Sequence, residues 1–251
     1  GLDAAELPLL VGLIVQRSLA GATTSALELG PRLLDLAEHN ADPIFRVEAG
    51  YALGITHAWR GELAVADRHF QTIREHYTAD QHARHLAIYG QDPGVVGLCR
   101  GGMTRWYMGL VEQGARDIEA ALALARRLGH PFSINYALHW FAMHACETEP
   151  AEVARRAIDA TLAYAAEQAF RTWLAMGQAI LGRWLLAYGG PDEAVDVSER
   201  AVTMLHSVGD VQVPNALAVH GAALCRSGAR AAGLARLDEA IRLNDARDEP
   251  W

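Results

Sequence analysis

The chain contains no lysine, and all 22 of its basic residues are arginine. That absence excludes the phosphate-loop motif, which needs a lysine beside serine or threonine, together with Schiff-base and kinase-type lysine chemistry. Cysteine is scarce as well. Cys99, Cys146 and Cys225 are far apart and form no Cys-x-x-Cys pair, so neither a disulfide framework nor a zinc finger is supported, and a reducing compartment fits. The longest apolar run, Leu7 to Val15, stops at Gln16-Arg17, too short to span a bilayer. Asp3 and Glu6 precede it where a secretory signal would carry basic residues. Acidic residues outnumber basic ones 30 to 22, which argues against a nucleic-acid partner held by phosphate neutralisation. A soluble, cytoplasmic protein with no membrane partner is expected.

What the chain does have is apolar residues, 51% of its 251, with alanine the most frequent. That share is ample for a continuous core. Small residues recur at Ala26, Ala66, Gly114, Ala154, Ala194 and Gly233, with gaps of 40, 48, 40, 40 and 39. A second series runs about five residues earlier with the same gaps: Gly21, Gly61, Gly109, Glu149, Gly189 and Gly228. Its glycines suit the end of one helix and the turn to the next. Between these marks Ala, Leu, Arg and Glu dominate, and apolar residues fall at helical spacing, as in Ile118, Ala121, Leu122, Ala125 and Leu128. Prolines stand where helices begin, at Pro43, Pro93, Pro131, Pro150 and Pro191.

The reading is therefore all-α, a right-handed α-solenoid of about six antiparallel helix pairs. A small residue on one helix lets its partner approach closely, and a lone pair gains stability by stacking on its neighbours. The pairs are expected near residues 3–39, 42–78, 93–129, 131–168, 170–208 and 210–246, with an insertion at 79–92, all within one domain. Gly30-Pro31 falls inside the second helix of the first pair, so a kink or a late helix start is expected there. Asp248 to Trp251 read as the start of a further pair, and without an initiator Met the chain reads as part of a longer protein. The pattern resembles the tetratricopeptide repeat, with a period of about 40 residues in place of the usual 34.

Longer strings narrow the resemblance. YGQDPGV (89–95), ALALARRLGHPFS (121–133), AEQAFRTWLAMG (166–177) and ILGRWLLAYG (180–189) occur in an order and spacing similar to the tetratricopeptide region of a bacterial multidomain family. Its members join an adenylate/guanylate cyclase domain or a LuxR-type DNA-binding head to a signalling ATPase and then to these repeats. The resemblance implies cytoplasmic signal transduction, with the repeats sensing a partner or ligand and restraining the ATPase. Neither the cyclase's metal-binding aspartates nor the ATPase's nucleotide loop has a counterpart here, so neither activity carries over. Gly114 and Gly233 stand where the repeat usually has alanine. With Gly101-Gly102 they suggest a loosened, flexible third pair.

Catalytic chemistry finds little support. There is no Gly-x-Ser-x-Gly elbow and no activated cysteine, and acidic pairs such as Asp192-Glu193 suit helix starts. His82 and His85 lie three apart beside no matching carboxylate, so a solvated polar loop is expected there. His139 and His144 point about 140° apart on one helix, and Cys146 does not repair that geometry. No catalytic residue, metal ligand or cofactor is assigned. In a tetratricopeptide superhelix the first helix of each pair lines the concave groove. That register places Glu48, Tyr51 and Trp59, then Cys99, Met103, Trp106 and Tyr107, on the groove. His139 and Met143, Met176 and Arg183, and Asn215 and Arg226 continue it. Aromatic residues and Met with a few Arg and His suit a protein or peptide segment with a polar handle. Such a partner could be the ATPase domain of the same polypeptide. The alternative is a small-molecule effector held near Trp106 and His139.

Overall fold

The computed structural model describes residues 2–208 and 212–246, with side chains at 6–207 and 212–246. The expected start of a further pair at 248–251 lies outside them. The helices follow one another as α1 (Leu2–Leu19), α2 (Thr23–Leu27), α3 (Gly30–His39), α4 (Ile44–Trp59) and α5 (Leu63–His76). Then come α6 (His82–Tyr89), α7 (Pro93–Tyr107), α8 (Val111–Leu128), α9 (Pro131–Thr148) and α10 (Ala151–Glu167). The last are α11 (Arg171–Tyr188), α12 (Pro191–Val208), α13 (Val213–Arg226) and α14 (Arg230–Asp245). No strand occurs among the described residues. The fold is all-α, a solenoid-type succession of antiparallel helix pairs.

By their contacts the described residues separate into two compact units, one reaching Trp140 and one running from Phe141 to Ala246. In the first, α4 packs on α5 and α7 on α8, while α1 and α3 lie against α4. Its core holds Leu7, Ile14, Leu33, Ile44, Leu53, Phe70 and Ile73, all nearly or fully enclosed. In the second, α11 packs on α12 and α13 on α14. Ile158 and Leu185 anchor one of its clusters, Leu205 and Leu217 another.

Two helices show how pattern becomes packing. The apolar stripe of α8 (Ile118, Ala121, Leu122, Ala125) is buried, and its Glu and Arg residues lie outward, as amphipathic spacing dictates. In α4 apolar and small residues run around the whole circumference, and almost every residue from Ile44 to Ala58 is buried. A helix of that kind sits in the middle of its unit.

Turn chemistry explains four members of the second series, while Gly189 ends α11 in an extended conformation. Gly21, Gly61, Gly109 and Gly228 all have φ between +72° and +96°, the left-handed region that glycine enters without strain. At Gly30-Pro31 the chain breaks between α2 and α3. Pro31 occupies the first turn of α3, where its missing N–H has no partner to lose.

Of the glycines that suggested looseness, Gly102, Gly114 and Gly233 mark close helix crossings. A Cβ on Gly114 would stand 2.6 Å from the Gly102 carbonyl oxygen, and one on Gly102 would stand 2.9 Å from that of Gly114. Gly221 and Gly233 face each other in the same way, at 2.8 and 2.6 Å. Contact, rather than flexibility, accounts for all four. Gly114→Ala should therefore destabilise the chain by about 1–3 kcal/mol through overpacking, despite alanine's advantage of about 1 kcal/mol in a helix. Urea unfolding checks the sign, and a raised midpoint in Gly114→Ala would refute the crossing.

The insertion is not a solvated loop. It forms a short 3₁₀ turn and then α6, which turns out through Gly90 at φ +72°. His85 on α6 is fully buried, its Nδ1 2.6 Å from Glu48 Oε1 on α4. Asp92 caps α7 by accepting the Val95 N–H at 2.8 Å. Its other oxygen accepts the Tyr77 hydroxyl at 2.8 Å and stands 2.7 Å from His82 Nδ1. Burial, followed by the nearby Asp92, holds the Glu48 carboxyl well above the usual range, and burial lowers His85 to about 4.

Candidate functional site

The first helices of the second, third and fourth pairs bring one cation into an aromatic frame. Arg100 leaves α7 over two indole rings, its Cζ 5.4 Å from the ring centre of Trp59 on α4. It is also 4.7 Å from that of Trp140 on α9. Tyr136 lies one turn before Trp140 with ring centres 6.0 Å apart, and the His139 ring meets Trp140 edge-on at 5.5 Å. A guanidinium over an indole face gains roughly 0.5–2 kcal/mol per ring, enough to fix the side chain's position.

Among the described residues Arg100 shares the lack of a counter-ion with exposed arginines such as Arg68 and Arg226. What sets it apart is that it lies over two indole rings and is itself only partly exposed. Arg74 on α5 and Arg105 on α7 share Asp67 and Asp117 at 2.9–3.6 Å, an ionic ring that ties the second pair to the third. Arg32 pairs with Glu6, and Arg84 with Asp42. No carboxylate among the described residues pairs with Arg100. Its surroundings cannot supply an anion by ionising either. Burial raises the Tyr51 phenol to about 12 and pushes the Tyr136 phenol and the Cys99 thiol higher still. Burial, and after it the charge of Arg100, lowers His139 to about 3. All four side chains are uncharged at neutral pH, and Arg100 itself is partly exposed. Such an arrangement is set to receive an anionic group from outside the chain, by paired charge-assisted hydrogen bonds.

The residues expected on a groove divide by depth. Glu48, Tyr51, Cys99, Met103 and His139 are enclosed, each 4% exposed or less. Trp59, Trp106, Met143 and Met176 are half-buried, Trp59 against the first core and Met143 and Met176 against those of the second unit. Tyr107, Arg183, Asn215 and Arg226 are exposed. The Tyr107 ring meets Trp106 at 5.1 Å, Arg183 pairs with Glu147, and Arg226 donates to the Leu186 carbonyl. The structure brings Tyr51, Trp59, Cys99 and His139 together around Arg100. That arginine and Trp140, its two most informative members, are absent from the groove register. Among the described residues no set of three His, Cys, Asp or Glu side chains is placed to hold a metal ion.

The fold recurs in solved structures. A Rap protein complexed with competence and sporulation factor is 12% identical, with 95% of this chain and 76% of that one covered at a TM-score of 0.66. BtubC (BKLC) from P. vanneervenii is 18% identical, with 89% and 90% covered at 0.58. The nearly identical TPR-like repeats of a putative kinesin light chain from Podosopora anserina are 17% identical, with 82% and 98% covered at 0.52. At these identities the likeness shows a tetratricopeptide-like helical-repeat fold. No protein-family model and no curated protein matches the chain.

Proposed function

We propose that the chain is a non-catalytic helical-repeat scaffold that captures a segment of a partner protein and seats an acidic group of that segment on Arg100. The observation that carries the reading is a guanidinium fixed over Trp59 and Trp140 without a counter-ion, in a chain whose net charge is −8. Flanking aromatic residues supply contact area at low entropic cost, the usual make-up of a binding hot spot. The exposed Tyr107, on the same helix as Arg100, is its natural extension. The Rap protein that shares the fold holds competence and sporulation factor in its crystal structure, and a peptide ligand is consistent with that. A partner from an ATPase domain on the same polypeptide would make the module a regulatory arm in bacterial signalling.

A peptide-display selection against the chain tests the reading. The enriched peptides should carry Asp, Glu or a free C-terminal carboxylate. Arg100→Gln should weaken them at least tenfold with the melting temperature unchanged, since a hydrogen bond to a charged group contributes about 1.5–3 kcal/mol. Equal affinity in Arg100→Gln would sink the assignment.

A further inference from the structure

The insertion creates a cleft that the repeats alone would not make. It lies among α1, α4 and α6, shares Tyr51 with the surroundings of Arg100, and has a volume of about 310 Å³. Small-molecule sites begin at about that size. Val11 and Val15 of α1 form one wall and Ile88 of α6 the other. Ile88 is 44% exposed at the mouth, whereas Tyr51 in the floor is 4% exposed. Gln91, beside the Tyr51 ring, also lines the cleft. No Asp, Glu, Arg or His side chain lines it, and the Tyr51 phenol stays protonated.

Gly12 supplies an independent observation. It sits inside α1, where glycine costs about 1 kcal/mol relative to alanine. Elsewhere glycines inside the helices are explained by contact, as at Gly54, Gly102 and Gly114, where a Cβ would meet its neighbours at 2.6–2.9 Å. At Gly12 a Cβ would meet nothing within 4 Å, although the residue lines the cleft. Packing within the chain gives no reason for glycine there. The residue is exposed, so the space above it is open from the mouth of the cleft.

We propose that this cleft binds an uncharged small molecule with an apolar body and one hydrogen-bonding group. The body lies against Val11, Val15 and Ile88, over the space that Gly12 leaves open. The polar group, an alcohol, amide or ketone, meets the Tyr51–Gln91 pair at the floor. A charged ligand is disfavoured because nothing in the lining compensates its desolvation. The insertion thus acts as one wall of a binding site, and its burial of His85 against Glu48 holds that wall in place.

N-Phenyl-1-naphthylamine, an uncharged amine whose fluorescence rises in apolar surroundings, is a suitable probe. It should bind the full chain saturably, and 1-decanol should displace it at least tenfold more effectively than decanoate. Gly12→Phe fills the cleft from a position with free space and should weaken the probe at least tenfold without lowering the melting temperature. Ile88→Glu, which puts a charge at the half-exposed mouth, should weaken it as much and serves if Gly12→Phe does not fold. Absence of saturable binding, binding untouched by the substitutions, or displacement by decanoate as effective as by decanol would each overturn the proposal.

Discussion

Phe70→Ala is expected to destabilise the first unit by about 3–5 kcal/mol, the range for removing a large aromatic side chain from a packed core. Phe70 is fully buried on α5 and is the wedge on which two first helices close. A Cβ on Gly54 of α4 would stand 2.7 Å from its ring, and one on Gly101 of α7 would stand 3.1 Å from its Cβ. Two glycines on neighbouring helices thus make room for one ring. With the ring gone, neither helix has a side chain at that point to refill the space, so the cavity persists. Because helix repeats unfold in part as nearest-neighbour units, the loss should appear first in the unit that reaches Trp140. Urea unfolding followed by tryptophan fluorescence measures it. A loss below about 1 kcal/mol would mean that the helices close over the gap, and the wedge would be the wrong description.

Acid should be the second large lever. Burial lowers His69 and His85 to about 4 and His139 to about 3. In the unfolded chain each imidazole titrates near its ordinary value of about 6.5. Depressed folded values mean that the unfolded chain binds more protons below about pH 6.5, so stability is fully present above that pH and is lost as pH falls. Glu48 works the other way. Its raised carboxyl keeps a proton in the folded chain that the unfolded chain gives up above the ordinary carboxylate value, so it offsets one imidazole. Three lowered imidazoles outweigh that one carboxyl, so stability falls as pH drops from about 6 towards 4.5. Against a usual total stability of 5–15 kcal/mol, unfolding should begin well above the carboxylate range. Urea midpoints at pH 7.5, 6 and 5 should fall steeply at the lower end, and a flat profile from pH 7.5 to 5 would contradict the neutral burial of these histidines.

The fold was legible because its contacts repeat. Ala26, Ala66, Ala154 and Ala194 share one register, and each is buried where two helices meet. The left-handed turn at Gly61 recurs at Gly109 for the same reason. Much of the site was not legible, and the reason is geometric. Trp140 stands 40 residues after Arg100, the equivalent position one repeat later. Trp59 stands 41 before it, where the small-residue gap would place an equivalent at 48. No periodicity rule brings that indole to that guanidinium. The signal available was narrower: Arg100 is an isolated charge in PGVVGLCRGGM (93–103), a run otherwise made of small and apolar residues. Likewise Glu48, expected on the groove, is a buried carboxylate in a helix that is apolar all round, and its partner His85 comes from the insertion, outside the repeat.

The most direct measurement is a double-mutant cycle between Arg100 and the acidic group of a selected peptide. Affinities would be taken for the chain and for Arg100→Gln, each with the peptide's carboxylate intact and replaced by its amide. A guanidinium waiting for that carboxylate predicts a coupling of at least about 1.4 kcal/mol, a tenfold departure from additivity that shrinks as salt is raised. Additive losses, with no coupling between the two changes, would mean that the peptide's acid binds elsewhere and that Arg100 only packs over its two rings.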